Sequence, residues 1–313
     1  MPPRVLLGLI CLVLLPFPAG AQPDYSRPVD VAPSEDAIGE GYVTPVVQRP
    51  LPLSAARQLL DLALLGAALA LSAWIALRRR SRSVGVALTL ACLFYFGFYR
   101  EGCVCPIGSI QNVVLGLAEP AYVVPYFVIG IFVLPLAAAL FFGRVFCGGV
   151  CPLGAIQEVV LVRPVTVPPR LDRVLGAGKW LYLAAAVGLA VAPAAYRDFV
   201  ICRFDPFVSF FRFTGTFSML LFGGLLLGVG LFVGRPYCRW LCPYGALLAL
   251  ASRYAWRSVS ITPGRELDCG LCNRACPYGA IEAMRAVRER CLACSRCYHS
   301  CPVHRVEVEG PAS

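Results

Sequence analysis

The pattern Gly-Arg-x-x-Cys-x-x-x-Cys-Pro-x-Gly-Ala occurs twice, at Gly143–Ala155 and at Gly234–Ala246, and each copy closes a long apolar stretch. This repeat constrains the fold more than any other feature. It calls for two equivalent units, each presenting a cysteine pair at one end of a membrane-type helix. At the far end of each unit stands another turn, Gly102-Cys103-Val104-Cys105-Pro106 in the first and Ile201-Cys202-Arg203-Phe204-Asp205-Pro206 in the second. Apolar stretches lie at about 57–77, 84–100, 121–142, 180–197 and 213–233, each near the roughly 20 residues that cross a hydrocarbon layer. The second and third form one hairpin. The fourth and fifth form another in the same orientation.

With 58% hydrophobic and 15% charged residues, the chain is too apolar for an ordinary soluble domain. Its formal charge of +10 does not point to nucleic acid, because the cations gather between the spans. Arg78, Arg79, Arg80 and Arg82 follow the first span. Arg163, Arg170, Arg173 and Lys179 separate the third and fourth, and Arg235, Arg239, Arg253 and Arg257 follow the fifth. The positive-inside rule puts these clusters in the cytoplasm, and the loops near Arg100–Glu101 and Arg197–Asp198 in the periplasm. The expected localisation is the bacterial cytoplasmic membrane, multi-pass, with the amino terminus outside and the carboxyl terminus inside.

Residues 1–21 read as a signal peptide: Arg4, the apolar run Val5–Leu15 that contains Cys11, and a small-residue site at Ala19-Gly20-Ala21. Residues 22–56 read as a Pro-rich periplasmic linker. A transmembrane domain over 57–257 contains the repeat as 84–162 and 180–257, and residues 258–313 form a small cytoplasmic domain. The expected fold class is mainly α: a five-helix transmembrane bundle with two tandem helical hairpins, plus a small ferredoxin-like α+β domain.

Sixteen cysteines set the chemistry. Cys291, Cys294, Cys297 and Cys301, followed by Pro302, make an unbroken C-x2-C-x2-C-x3-C-P run, the bacterial ferredoxin motif whose fourth cysteine serves the other cluster. Cys269, Cys272 and Cys276, followed by Pro277, repeat it with Glu266 in the first position. Crossed ligation assigns Cys291, Cys294, Cys297 and Cys276 to one complete 4Fe–4S cluster. The second is left with Cys269, Cys272 and Cys301, and with Glu266, Asp268, water or a missing iron at the gap. Zinc does not call for this spacing.

Cys147, Cys151, Cys238 and Cys242 sit at the cytoplasmic mouths of the two hairpins and together offer four thiols, enough for a further iron–sulfur or redox site. Proline after the second cysteine of each pair suits a first helical position, so Cys151 and Cys242 should cap helices, where free N–H groups and the helix dipole favour thiolate. Cys103, Cys105, Cys202 and Asp205 form a candidate periplasmic redox site, with a disulfide as the competing reading. Cys92 reads as packing, and His299 and His304 as solvated residues. No phosphate loop, HExxH or GxSxG motif is present, so hydrolysis has no support.

Doubled CxxxCP turns followed by paired ferredoxin motifs resemble the NosR/NapH-type membrane polyferredoxins over roughly residues 57–305. The resemblance implies electron transfer between the quinone/quinol pool, or a cytoplasmic donor, and a periplasmic reductase or flavin-binding protein. A role as the electron-transfer subunit of an oxidoreductase fits it better than a stand-alone enzyme. NosR-like proteins carry a large periplasmic flavin-binding domain, for which the short segment here has no room. A copper reductase or assembly factor of the CcoG-like kind shares these elements and is the main alternative, although Met-rich and His-rich tracts are lacking. A membrane redox sensor is a further one.

Overall fold

The computed structural model describes residues 54–102, 106–120, 122–193, 207–212, 217–259, 269–282 and 285–301. The chain divides into two units, Met1–Leu59 and Leu60–Ser313. The signal peptide, nearly all of the linker, and Cys103, Cys105, Cys202, Asp205, Glu266 and Asp268 lie outside the described residues.

The fold is mainly helical. Three helices are long and apolar enough to cross a membrane: α1 (Ala55–Arg79), α2 (Arg82–Tyr99) and the stretch Pro169–Val191. The last divides into α7 (Pro169–Gly176) and α8 (Gly178–Val191). The third and fifth apolar stretches of the sequence are shorter helices, α4 (Tyr126–Phe142) and α10 (Phe217–Gly230), the latter preceded by the five-residue α9 (Val208–Arg212). One apolar helix, α3 (Pro106–Ala118), occupies a segment that the sequence suggests is a loop. It is too short to register as a span and carries Gln111 and Asn112, yet it is a core element. Ile107, Ile110, Gln111 and Leu115 are buried, and the Gln111 amide donates to the Ala186 carbonyl at 3.3 Å.

Each repeat then breaks into two short helices around its cysteine turn. These are α5 (Val145–Gly149) and α6 (Pro152–Val159) in the first, and α11 (Pro236–Trp240) and α12 (Pro243–Arg253) in the second. Gly143 stops α4 at a φ of +77°, a left-handed conformation that favours glycine, and its N–H returns to Ala139. Proline at the next helix start lacks an N–H that would be unpaired there anyway and presets φ, so each helix restarts directly after its second cysteine. α12 packs against α4 and α8, and α3 packs against the same two helices. The contacts use small residues, Ala139, Ala186 and Ala190, which let backbones approach where lipid gives no hydrophobic drive. The Tyr244 hydroxyl fixes the register by donating to the Phe132 carbonyl at 2.7 Å.

The carboxyl-terminal region has two five-residue helices, α13 (Leu271–Ala275) and α14 (Arg296–Ser300), packed on each other, and a two-stranded antiparallel hairpin. Its strands β1 (Ile281–Glu282) and β2 (Arg285–Ala286) pair Ile281 with Ala286 and Glu282 with Arg285. Gly270 and Ser295 open α13 and α14 at φ +66° and +62°, so the two cysteine motifs share one local shape. Members of the first and third arginine clusters meet this region. Arg80 lies over the Tyr298 ring, Arg82 donates to the Cys294 carbonyl, and Arg239 links the Pro277 carbonyl to Asp172 on α7.

Candidate iron–sulfur sites

Cys147, Cys151, Cys238 and Cys242 are all buried and all free thiols. Cys151 and Cys242 are the N-caps of α6 and α12. The Cys242 sulfur accepts the Gly245 N–H at 3.2 Å, and Gly154 serves Cys151 in the same way. Two further donors reach the set. The Gln157 amide stands 3.4 Å from the Cys238 sulfur, and the Arg144 guanidinium 3.7 Å from that of Cys147. Cys151 and Cys242 each feel the charge of cysteines from both repeats. The four thiols therefore form one electrostatic group.

The first cysteine turn lies alongside α1 and α2, short of the point where they end. The Ser72 hydroxyl donates to the Val145 carbonyl at 3.0 Å, and the Thr89 hydroxyl reaches the Gly148 carbonyl at 3.4 Å. Ser72 precedes the end of α1 by seven residues, and Thr89 follows the start of α2 by seven. At 1.5 Å per residue the first cysteine turn is set about 10 Å inside the bundle end.

The arginines of the repeat cross over. Arg235, fully buried, donates to the carbonyls of Cys147 and Gly148 in the other repeat. Arg144 lies against Gly245 of the second repeat. The glycines of the CPxGA turns leave room for these guanidinium groups. A Cβ on Gly154 would stand 2.9 Å from Arg235 Nη1, and one on Gly245 would stand 3.4 Å from Arg144 Nη2.

In the carboxyl-terminal region, Cys276, Cys291, Cys294 and Cys297 line a single small void. Burial pushes the Cys291 thiol up to about 12, and Cys294 and Cys276 add to it. Backbone N–H groups of Ala293 and Arg296 point at the sulfurs of Cys291 and Cys294. Cys272 is neighboured by Cys269 and Cys301. These neighbours are grouped as crossed ligation would group them. Among the described residues, no three His, Cys, Asp or Glu side chains converge tightly enough for one metal ion. A single zinc draws its sulfurs to about 2.3 Å from one point. A 4Fe–4S cluster stands as a bulkier body between its four thiolates. The all-cysteine donor sets, the void and the N–H groups aimed at sulfur fit a cluster.

Sequence reasoning missed the residue that joins the sites. Glu158, in the last turn of α6, has a side chain only 7% exposed and meets three arginines: Arg82 at 2.5 Å, Arg296 at 2.7 Å and Arg235 at 3.1 Å. The Tyr278 hydroxyl donates to it too. Burial alone would raise its carboxyl, but the three guanidinium groups hold it well below the usual carboxylate range. Gln157 beside it accepts the Tyr237 N–H at 3.1 Å. The signal was present in the sequence, because Leu248 and Ala249 occupy the matching positions of the second repeat. A second missed residue is Asp61 in α1. It is buried, pairs with Arg100 at 2.7 Å and accepts from the Tyr95 hydroxyl at 2.9 Å.

Comparison with known proteins agrees on the chemistry. Residues 124–166 and 215–261 each match a 4Fe-4S binding domain family, and the two matches hold the two CxxxCP turns. The chain is 33% identical to NirI of Paracoccus denitrificans over 142 residues, 44% of this chain and 20% of that protein. It is 31% identical over 150 residues to YccM of Escherichia coli, named as a putative electron transport protein, covering 45% of this chain and 42% of that one. The regulatory protein NosR of Pseudomonas aeruginosa is 31% identical over 150 residues, 44% of this chain and 20% of its own. The chain therefore spans less than half the length of each of these relatives. No solved structure matches. With two 4Fe-4S binding domain matches on its repeated cysteine turns and relatives of this kind, the chain is similar to the NosR/NapH-type 4Fe–4S proteins.

Proposed function

We propose that this chain is a multi-pass protein of the bacterial cytoplasmic membrane that carries electrons between a quinol or cytoplasmic donor and a periplasmic reductase or flavoprotein. In this reading Cys276, Cys291, Cys294 and Cys297 hold one 4Fe–4S cluster, and Cys269, Cys272 and Cys301 hold a second with an incomplete cysteine set. Cys147, Cys151, Cys238 and Cys242 hold a further cluster inside a five-span bundle, and Cys103, Cys105, Cys202 and Asp205 form a redox site on the opposite side. The ferredoxin-like region faces the cytoplasm. Clusters bound at these residues supply reversible one-electron chemistry.

The protein's own residues supply spacing and electrostatics. The observation that carries the reading is the contact between the two cysteine regions: the Gly148 backbone, next to Cys147, lies directly on that of Leu292, next to Cys291. Two redox groups held by touching segments need no intermediate carrier. Arg235 lies between them, near both Cys238 and Cys294, and offsets negative charge on either side. Burial of every cysteine in the intramembrane set keeps water from it.

The test is anaerobic purification in detergent, iron and sulfide analysis, and EPR during stepwise reduction, on the wild type and on Cys147→Ser with Cys238→Ser. The reading requires that the double variant lose iron and one EPR signal and keep the others. Iron content unchanged by the double variant would remove the intramembrane cluster, and zinc in place of iron would remove the electron-transfer role. A regulatory reading draws on the likeness to NosR, which is named as a regulatory protein. Normal respiratory electron flow in a deletion strain, with altered gene expression, would favour it.

A further inference from the structure

A basic cleft of 650 Å³ opens between α7, the start of α8, the end of α12 and the segment Glu289–Leu292. No iron–sulfur role described above accounts for it. Six cationic side chains line it against three acidic ones. Two of those acids are engaged, Asp172 by Arg239 and Trp240, and Glu282 by Arg290. Arg173 and Arg253 have no ion-pair partner among the described residues. An excess of positive charge in a cleft of ligand size calls for an anion.

The surroundings decide which anion. α7 buries none of its residues. It exposes Leu171, Val174 and Leu175 on one face, with Val174 71% exposed, while Arg173 lies on the opposite face. As the first turns of a candidate span, a stretch of that kind sits at interface level with its apolar side toward the acyl region. α8 follows as part of a candidate span, and it begins with Lys179, a half-exposed Trp180 and a Leu181 that is 72% exposed. Tryptophan and lysine at a span end mark the headgroup level. The cleft therefore opens where phosphates stand, with exposed apolar side chains beside it for acyl chains.

We infer that this cleft binds the headgroup of an anionic phospholipid, of the phosphatidylglycerol or cardiolipin class, with Arg173, Lys179 and Arg253 as the phosphate-facing cations. The lipid would bridge α7 and α8 to the carboxyl-terminal region, which contributes Tyr278, Arg290 and Leu292 to the cleft. This role does not depend on which redox partners the protein serves.

The full chain in detergent, stripped of lipid, would be titrated with phosphatidylglycerol and phosphatidylcholine of identical chains and read by native mass spectrometry. The wild type should prefer phosphatidylglycerol, and Arg173→Gln with Arg253→Gln should weaken that lipid's binding by about ten-fold or more. Lys179→Gln should weaken it in the same direction, which serves as the second variant if the double one does not fold. Arg163→Gln, an exposed cation outside the cleft, should leave it unchanged. Equal binding of both lipids, or equal loss with Arg163→Gln, would overturn the proposal. So would inorganic phosphate or a nucleotide occupying the same residues in competition with the lipid, which would assign the cleft to a soluble anion.

Discussion

Gly148 and Leu292 meet backbone to backbone, so closely that a Cβ on Gly148 would overlap the Leu292 carbonyl oxygen. One belongs to the first intramembrane cysteine turn, and the other follows Cys291. Gly148→Ala should therefore destabilise the protein by about 1–3 kcal/mol, because backbone cannot move aside as a side-chain tip can. Gly188→Ala, with open space at the Cβ, should be neutral or slightly stabilising. Thermal unfolding in detergent compares the two, and limited proteolysis should find residues 269–301 more accessible in Gly148→Ala alone.

Glu158→Ala should cost about 3–5 kcal/mol, since it leaves Arg235 buried without its carboxylate. The pH dependence follows from the depressed carboxyl. Its folded value lies below the unfolded one, so its contribution is present above the unfolded glutamate value of about 4.3 and is lost as pH falls below it. Melting temperature measured from pH 8 down to acid should fall less steeply in Glu158→Ala than in the wild type across that range. A parallel fall in both would remove the role given to this carboxylate.

Gln157 carries the amide that approaches the Cys238 sulfur. Gln157→Leu, which copies Leu248 of the second repeat, removes that donor. It should shift the reduction potential of a cluster held there to a more negative value, because hydrogen bonds to sulfur stabilise the reduced form. An EPR-monitored redox titration reads the shift. Loss of the acceptor for the Tyr237 N–H should add a stability cost of about 1–3 kcal/mol.

Gly270 and Ser295 take the same left-handed conformation at the start of α13 and α14. Gly270→Ala should destabilise by about 1–2 kcal/mol despite empty space around it. Ser295→Gly should be tolerated. Iron retention on dilution and thermal unfolding separate the two substitutions.

Asp61 and Arg100 form a buried pair joining α1 to the end of α2. Asp61→Asn should lower the melting temperature in detergent by the equivalent of about 3–5 kcal/mol, because it strands the arginine. Arg100 thus does more than the loop role its position in the sequence suggested.

The sequence by itself determined the repeat, the position of its cysteines at the ends of apolar stretches, the proline-started helices after Cys151 and Cys242, and the grouping of cysteines implied by ferredoxin spacing. These are local or periodic features, set by helix capping and by fixed ligand intervals. Only the tertiary structure decided the rest. Helix α3 escaped notice because a 13-residue helix inside a bundle needs neither the length nor the uniform apolarity of a span. The depth of the first cysteine turn depends on how α1 and α2 overshoot it. The convergence of Arg82, Arg235, Arg296 and Tyr278 on Glu158 joins residues 76 to 138 positions apart. No periodicity predicts such a cluster. It exists because a carboxylate buried beside a docking surface must gather cations from every element that reaches it.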